Sequence, residues 1–248
     1  MKDEQLLRFS RQIMLPEMDV EGQKKLLDAT VLIIGMGGLG CPASMYLAAA
    51  GVGRLIIADD DEVELTNLQR QIAHSQSKLG QTKVTSAQQS LLELNSDLKI
   101  TAVNERLKGD RLDKFVHQAD VVVDACDNYE TRFAVNRSCL MNSKPLVSGA
   151  AIRMEGQVAV FDSHNSESPC YQCLYQECGD EDATCANNGV MAPLVGIIGS
   201  VQAMEVIKII TGIGESLVGK LLVLDASIMQ WREIELTRDP GCAACGNM

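Results

Sequence analysis

The chain has 248 residues, of which 46% are hydrophobic, and its formal net charge at pH 7 is −11. This length and apolar content are sufficient for one large α/β domain with a full core. The negative charge argues against a general nucleic-acid-binding surface. The N-terminal MKDEQLLRF lacks the apolar run of a secretory signal. We therefore expect a cytoplasmic protein that does not bind nucleic acid.

Helices and strands alternate over the first 150 residues. Short apolar segments rich in β-branched residues predict strands that are buried on both faces, and the stretches between them predict helices. This alternation is typical of a Rossmann-like, mostly parallel α/β sheet. The predicted helices span about 3–14, 19–28, 38–50, 80–94, 110–118 and 129–142. The predicted strands span 30–35, 54–59, 99–104, 120–125 and 145–150.

The pattern changes after residue 150. Three further strands predict an antiparallel continuation of the sheet, at 157–162, 220–226 and 231–237. The apolar segment 189–212 approaches the length of a membrane span, but Gln202, Glu205 and Lys208 recur in it at every third position. Such a stripe is typical of a largely buried helix in a protein that does not enter a membrane. The acidic stretch 177–189 is the best candidate for a mobile loop.

A glycine-rich turn follows the first predicted strand. Gly35, Gly37, Gly38 and Gly40 lie between that strand and an alanine-rich helix. Glycine permits the tight turn and lets backbone N–H groups approach a phosphate at the helix N-terminus. Asp59 ends the second strand, where its carboxylate can accept hydrogen bonds from ribose hydroxyls. The pattern predicts a nucleotide site, with a glycine turn that only packs a helix on a sheet as the alternative, and it leaves NAD and ATP open.

Two cations follow the nucleotide turn at predicted helix starts. Thr66 and Gln69 have the spacing of a capping box, which predicts Arg70 in the first turn of a helix. Lys83 lies near the start of the next long helix. A cation is unfavourable beside the positive end of a helix dipole unless an anion also binds there. The two residues therefore suggest a polyphosphate, although two solvated side chains are the alternative.

Asp127 and Asn128 follow the fourth predicted strand. Ligands of open α/β sheets bind beyond the carboxyl ends of the strands, so Asp127 is expected to face the same crevice as the glycine turn. A carboxylate near a triphosphate suits Mg²⁺ coordination. Asp124, inside the strand end, is a rival for this role. Together with the two cations, a metal-binding acid favours ATP over NAD.

Four cysteines form two C-x-x-C pairs that are far apart in the sequence. The pairs are Cys170 with Cys173 and Cys242 with Cys245. Zinc takes four thiolates, and the two-residue spacer lets both sulfurs of a pair reach one ion. A redox role is the competitor, but that motif normally opens a helix in a thioredoxin-like setting. We therefore predict a structural Cys₄ zinc site that joins the two distant segments.

The other five cysteines carry weaker signals. Cys41, Cys126 and Cys139 fall on predicted packed elements, which favours buried thiols. Cys178 and Cys185 lie in the polar stretch, where a thiol could react. Cys185 is a candidate functional nucleophile, with an ordinary loop residue as the alternative.

The sequence resembles the MoeB/ThiF/HesA family of E1-like adenylyltransferases, bacterial relatives of the ubiquitin-activating enzymes, over nearly its whole length. The resemblance rests on VLIIGMGGLG, TNLQRQ, GQTK, DACDN and both cysteine pairs. Residues 148–157 and 184–208 resemble the molybdopterin-pathway members most, whereas DDDEV at 59–63 is closer to the thiamin-pathway members.

The resemblance implies an activity and a partner. Family members use ATP to adenylate the C-terminal Gly-Gly carboxylate of a small ubiquitin-like sulfur carrier and release pyrophosphate. The carrier implied here is MoaD-like, for molybdenum cofactor biosynthesis, with a ThiS-type carrier of thiamin biosynthesis as the alternative. An NAD-dependent oxidoreductase and a noncatalytic zinc-stabilised binding module remain rivals from other classes.

The resemblance also implies roles for individual residues. It implies a homodimer in which Arg11 reaches the triphosphate of the neighbouring subunit. From spacing alone, Arg8 and Arg11 only share a helical face. We expect one adenylation domain over 1–248, with a nucleotide-binding half at 1–150 and an extension at 151–248. The residues implied around the nucleotide and its metal are Gly38, Asp59, Asn67, Arg70, Lys83, Asp127 and Asn128.

Overall fold

The computed structural model describes residues 1–175 and 189–246. The described strands form one eight-stranded sheet. In chain order they are β1 (Thr30–Ile34), β2 (Arg54–Ala58), β3 (Lys99–Val103), β4 (Val121–Asp124), β5 (Leu146–Ile152), β6 (Glu155–Phe161), β7 (Lys220–Asp225) and β8 (Gln230–Glu235). The described helices are α1 (Asp3–Arg8), α2 (Ser10–Ile13), α3 (Asp19–Asp28), α4 (Gly40–Ala50), α5 (Lys83–Leu94), α6 (Gly109–Gln118), α7 (Tyr129–Met141), α8 (Tyr171–Leu174) and α9 (Ala192–Thr211).

The order of the strands confirms the predicted α/β fold with a mixed sheet. The order is β3-β2-β1-β4-β5-β6-β7-β8. Strands β1 to β5 are parallel, and β6, β7 and β8 continue the sheet in antiparallel pairs. The chain moves outward from β1 to β3 and then returns to β4 on the other side of β1. The switch between β1 and β4 leaves a crevice at their carboxyl ends, which is where such sheets bind ligands.

Strand β1 shows why the sheet is buried on both faces. Val31 and Ile33 belong to the core cluster formed with α4, α5 and α9, whereas Leu32 and Ile34 belong to the cluster formed with α6 and α7. Successive side chains of a strand point to opposite faces, so a strand between two helical layers must be apolar throughout. This is the physical reason for the continuous apolar runs in the sequence.

Helix α9 is the one helix of the described residues that is long and apolar enough to cross a bilayer, and half of its apolar window is buried. It packs on β5, β6 and α4. Its polar stripe faces inward, because Gln202 Nε2 donates to Asp124 O at 2.8 Å and Glu205 Oε2 accepts from Leu217 N at 2.9 Å. These polar residues therefore connect α9 by hydrogen bonds to the end of β4 and to the segment before β7.

Two predicted boundaries differ from the structure. The single N-terminal helix is interrupted at Phe9, whose backbone leaves helical geometry and whose side chain is buried. Helix α5 begins only at Lys83, because Gly80 has φ +76° and Thr82 caps the helix by accepting from Thr85 N. The predicted mobile loop lies outside the described residues except for Gly189.

Candidate active site

The glycine turn is shaped by close backbone approaches. Gly35 has φ +96°, and a Cβ there would lie 2.7 Å from Ala125 O. A Cβ on Gly40 would lie 1.9 Å from Gly35 O, so no side chain fits where α4 begins. These contacts bring β1, the turn and α4 close to the end of β4. The backbone of the turn is therefore exposed to the crevice without intervening side chains.

A cleft of about 590 Å³ opens at this edge of the sheet. Most of the predicted nucleotide residues line it. Gly40 is absent from the lining because it is buried in the start of α4. The lining includes the predicted Gly35, Gly37, Gly38, Asp59, Arg70, Lys83, Asp127 and Asn128.

Asp59 organises the turn as well as facing the cleft. Its carboxylate accepts hydrogen bonds from Met36 N at 2.6 Å and from Asp61 N at 2.9 Å. Burial raises the pKa of Asp59 above its ordinary value, and the positive charge of Lys83 opposes that shift. The carboxylate thus couples the glycine turn to the end of β2, at the position expected for a ribose contact.

Lys83 lies at the first position of α5, as predicted. Its side chain is buried, and Nζ contacts Asp61 Oδ2 at 2.7 Å. In the protein alone, the anion beside this cation is therefore the Asp61 carboxylate. A phosphate entering the cleft must share Lys83 with Asp61.

The predicted helix after Thr66 is wrong. Leu65–Asn67 is a single 3₁₀ turn, and it is Asn67 Oδ1 that accepts from Glu64 N, at 3.2 Å. Arg70 therefore does not lie in the first turn of an α-helix, and the argument from the helix dipole fails for it. Arg70 nevertheless lines the cleft, where Nη1 donates to Thr66 O at 3.1 Å. No described carboxylate lies within ion-pair distance of Arg70.

Besides Gly40, Asn67 and Arg11 are predicted site residues that do not line this cleft. Asn67 is occupied in its own turn by the contact with Glu64. Arg11 is exposed on α2. Cys185, like Cys178, lies outside the described residues.

Asp127 and Asp124 have opposite environments. Asp127 is exposed, lines the cleft, and has no ion-pair partner among the described residues. Asp124 is buried and is contacted by Arg132 Nη1 at 3.0 Å and by Ser148 Oγ at 2.7 Å. Its carboxylate is therefore committed to the interior, which leaves Asp127 as the acid available to a ligand.

Several lining residues escaped the sequence analysis. Arg106 follows β3 and contacts Asp60 at 3.3 Å; the rule that ligands bind beyond strand ends could have found it. Arg132 could not have been found, because a cation within a helix is usually solvated. Tyr171 and Tyr175, whose rings lie 4.7 Å apart, also line the cleft, and only the folded chain brings them there.

The four predicted zinc ligands meet in space. Cys170 Sγ lies 3.7 Å from Cys242 Sγ and 3.9 Å from Cys173 Sγ, and Cys173 Sγ lies 3.4 Å from Cys245 Sγ. All four sulfurs lie within 4.8 Å of one another, and none is disulfide-bonded. A tetrahedron with Zn–S bonds of about 2.3 Å has sulfur–sulfur edges of about 3.8 Å. The spacing of the thiols therefore fits a zinc ion.

The other predicted buried cysteines are confirmed. Cys41, Cys126 and Cys139 are all buried. Burial raises the pKa of Cys41 to about 12 and also raises those of Cys126 and Cys139. These thiols stay protonated at neutral pH and are not candidate nucleophiles.

A family model described as "ThiF family" matches residues 9–244. The chain belongs to the ThiF family. This confirms the resemblance drawn from the glycine turn, DACDN and the cysteine pairs.

Curated relatives match nearly the full chain. Molybdopterin-synthase adenylyltransferase of Escherichia coli (strain K12) is 49% identical over 246 residues, which cover 99% of this chain and 98% of that protein. The ThiS adenylyltransferase of the same organism is 44% identical, with 99% and 97% covered. A longer relative, the adenylyltransferase and sulfurtransferase MOCS3 of Culex quinquefasciatus, is 44% identical, and the match covers 57% of its length.

The fold agrees with a solved ThiF-like structure. E. coli MccB, in a crystal structure with ATP, superposes with a TM-score of 0.83 and 26% sequence identity, covering 96% of this chain and 73% of that one. A second crystal structure, MccB with MccA-N7isoASN, gives a TM-score of 0.83 at 24% identity.

Proposed function

We propose that this protein is an adenylyltransferase that uses ATP to activate the C-terminal Gly-Gly carboxylate of a small ubiquitin-like sulfur carrier. The observation that carries the proposal is one cleft lined by a glycine turn, by cations that include Lys83 and Arg70, and by a carboxylate, Asp127, that has no ion-pair partner among the described residues. Support also comes from the relatives named adenylyltransferases at 44–49% identity over nearly the whole chain. An NAD-dependent oxidoreductase would share the glycine turn but leaves Lys83 and Arg70 without a role.

In the proposed reaction, a carboxylate oxygen of the carrier attacks the α-phosphorus of ATP. A new C–O–P bond forms, the bond from the α-phosphorus to the bridging oxygen breaks, and pyrophosphate leaves with that electron pair. The carboxylate is ionised at neutral pH, so no general base is needed. The barrier lies in bringing two anions together, which positioning and positive charge must overcome.

The chain supplies this positive charge locally, against a net charge of −11. Lys83 and Arg70 are the proposed phosphate contacts, and Arg106 is a further cation of the cleft. Lys83 is already paired with Asp61, so it is held in place before the nucleotide arrives. Preorganised cations of this kind stabilise transition-state charge without reorganising during the reaction.

We further propose that Asp127, assisted by Asn128, holds Mg²⁺ when ATP is bound. Asp127 fits a hard cation because its carboxylate is exposed and has no ion-pair partner among the described residues; Asn128 Nδ2 donates to it at 3.5 Å. Asp60 and Asp61 fit less well, since each is paired with a cation of the cleft. Bound magnesium would neutralise phosphate charge and orient the leaving group.

We propose a structural role for zinc at the four cysteines, as inferred from their spacing. Such a site leaves no open position for a substrate. Asn136 supports the arrangement, because its Nδ2 contacts Cys170 Sγ at 3.6 Å and its Oδ1 accepts from Tyr171 N at 3.0 Å. A zinc content below half an equivalent in freshly reduced protein would contradict the assignment.

Several expectations remain proposals. We propose that 1–150 and 151–248 form a single adenylation domain, because one sheet runs without interruption from β3 to β8. A cytoplasmic homodimer in which Arg11 enters the cleft of the partner remains a prediction. So does thioester formation or sulfur transfer at Cys185, which a thiol-labile adduct lost in Cys185→Ala would support.

ATP–pyrophosphate exchange with candidate carriers tests the proposal. We expect exchange with a MoaD-type carrier, because identity is higher to the molybdopterin-synthase relative, at 49%, than to the ThiS relative, at 44%. Stronger exchange with a ThiS-type carrier would move the protein to the thiamin pathway. Exchange with neither carrier, despite ATP binding, would contradict both assignments.

Asp127→Ala tests the metal-binding acid. We expect exchange to fall about 10²–10³-fold while stability is retained, because the residue is exposed and contributes charge only in the loaded site. The matched control is Glu93→Ala, an exposed acid on α5 that does not line the cleft. Near-normal exchange by Asp127→Ala would remove this residue from the mechanism.

A further inference from the structure

A buried histidine lies directly behind the glycine turn and has no role in the proposed chemistry. His74 is 7% exposed and does not line the cleft. Its Nε2 lies 3.0 Å from Met36 O, and its Nδ1 lies 2.9 Å from Ser86 Oγ in α5. The ring thus connects the carbonyl of Met36, inside the turn, to the adjacent helix.

The hydrogen-bond partners define the proton positions on His74. Burial lowers the pKa of His74 below its ordinary value, so the ring is neutral at pH 7 and has one donor and one acceptor. Met36 O can only accept, so Nε2 carries the hydrogen and donates to it. Nδ1 is then the acceptor, and the Ser86 hydroxyl donates to it.

Both backbone polar groups of Met36, the residue before Gly37, are consequently held by hydrogen bonds. Met36 N donates to Asp59 Oδ2 at 2.6 Å, and Met36 O accepts from His74. The described chain contains no cis peptide bonds. In a planar trans peptide, the C=O and the following N–H point in opposite directions. Because Met36 C=O points back to His74, Gly37 N–H points away from it.

Gly37 lines the cleft, and its N–H has no acceptor among the described residues. Glycine has little intrinsic preference for one peptide orientation, so rotation of this peptide plane would meet little resistance from Gly37 itself. A Cβ on Gly37 would meet only Gln71 Nε2, at 3.6 Å, so the surroundings do not lock it sterically either. Gly37 O accepts from Cys41 N at 3.1 Å, which holds the following peptide, so the contacts of the Met36 carbonyl are those that orient the peptide bearing Gly37 N–H.

We propose that His74 is a positioning residue of the nucleotide site, which holds the Met36 carbonyl so that Gly37 N–H is aimed at a phosphate of the bound nucleotide. The inference rests on the proposed nucleotide binding, but it concerns a residue that touches neither nucleotide nor carrier. Cys41 Sγ lies 3.4 Å from the same carbonyl and is a weaker second donor to it. His74 and Cys41 therefore both contact the carbonyl of the Met36–Gly37 peptide, and Asp59 holds the N–H of the same residue, Met36.

Variants that mimic the two ring nitrogens separately test the proposal. The amide nitrogen of Gln in His74→Gln can occupy the position of Nε2 and donate to Met36 O, whereas Asn in His74→Asn reaches only the position of Nδ1. His74→Leu removes both contacts at similar volume. We expect His74→Gln to bind ATP within about 3-fold of the unaltered protein and the other two to bind roughly 10-fold or more weakly, because a hydrogen bond to a charged phosphate is lost.

The measurement is calorimetric binding of ATP, ADP, AMP and adenosine to the full chain without carrier. We expect the variants to weaken the binding affinity only of ligands that carry phosphate. The affinity for adenosine, measured by competition, should be unchanged. Equal weakening of adenosine, or equal behaviour of His74→Gln and His74→Asn, would overturn the proposal. Failure of the unaltered protein to bind any nucleotide would instead overturn the proposed function.

Ser86→Ala provides a test that leaves the histidine in place. It removes the donor to Nδ1 and frees the ring to adopt the other tautomer, so we expect a 2- to 5-fold loss of ATP affinity in the same direction. In protein with ¹⁵N-labelled glycine, ADP should shift the Gly37 amide signal strongly in the unaltered protein and weakly in Ser86→Ala. An equally strong shift in both would contradict the role of His74.

Discussion

The ion pair beneath the cleft supplies a prediction whose size follows from its burial. Arg132 Nη1 lies 3.0 Å from Asp124 Oδ2, and the two side chains are only 8% and 1% exposed. Arg132 also donates to the carbonyls of Cys126 and Gly149, so the pair ties the end of β4 to β5. We expect Asp124→Asn to destabilise the protein strongly, because it leaves a buried guanidinium without its counter-charge.

Breaking a buried pair by changing one partner costs about 3–5 kcal/mol. We expect the lower end, about 3 kcal/mol, because the amide oxygen of Asn can still accept from Cys126 N while its NH₂ group donates to Ser148 Oγ. For a chain of this size, each kcal/mol shifts Tm by roughly 2–4 °C. The expected decrease is therefore at least about 6 °C.

The assay is urea unfolding of Asp124→Asn, Arg132→Met and the double variant. The double variant should be at least about 2 kcal/mol more stable than the sum of the single effects predicts, because it removes both charges together. Asp127→Asn is the matched control, an exposed acid three residues along the chain. Single effects below about 1 kcal/mol, or strict additivity, would refute the reasoning.

Three further predictions concern zinc, thiols and the glycine turn. Removal of zinc from the four cysteines under reducing conditions should lower Tm by at least about 5 °C, and added zinc should restore it; an unchanged Tm would count against a structural metal. Cys41 is fully buried, which raises its pKa to about 12, so it should resist iodoacetamide at pH 8 until urea is added. Gly40→Ala should cost more than about 3 kcal/mol, because its Cβ would lie 1.9 Å from Gly35 O. Gly37→Ala, with 3.6 Å to its nearest neighbour, should cost far less, and equal losses in urea titrations would contradict the steric account.

The alternation of strands and helices could be predicted from the sequence because it depends on the hydrophobic pattern within each short segment. A strand such as β1 is apolar throughout only when helices cover both faces, so Val31 to Ile34 predicted the layered sheet. The antiparallel extension was predicted instead from the change in this alternation after residue 150, and its last strand, β8, is exposed at all six residues. The break at Phe9 was not, because its side chain leaves the helical surface to enter the core.

The residues of the candidate site likewise divide into those that local sequence predicted and those that only the fold revealed. Lys83 was found at its helix start because Thr82 caps the helix through a contact within one turn. The prediction of an α-helix after Thr66 was wrong because the spacing of a capping box also fits a short 3₁₀ turn. The contact between Glu64 and Asn67 selects the 3₁₀ turn. Arg132 was missed because its environment is made by β4 and β5, which are remote in the sequence.

By itself, the sequence determined the type of sheet, the position of the glycine turn after β1, and the grouping of four cysteines into two C-x-x-C pairs. These features depend on steric and hydrogen-bonding preferences within a few residues. Only the tertiary structure decided that the sulfurs of the two cysteine pairs lie close together in space. It also decided that Asp124 is buried while Asp127 is exposed, and that His74 lies behind Met36. Those arrangements depend on which distant segments pack together, and long-range packing is not encoded in any short stretch of the chain.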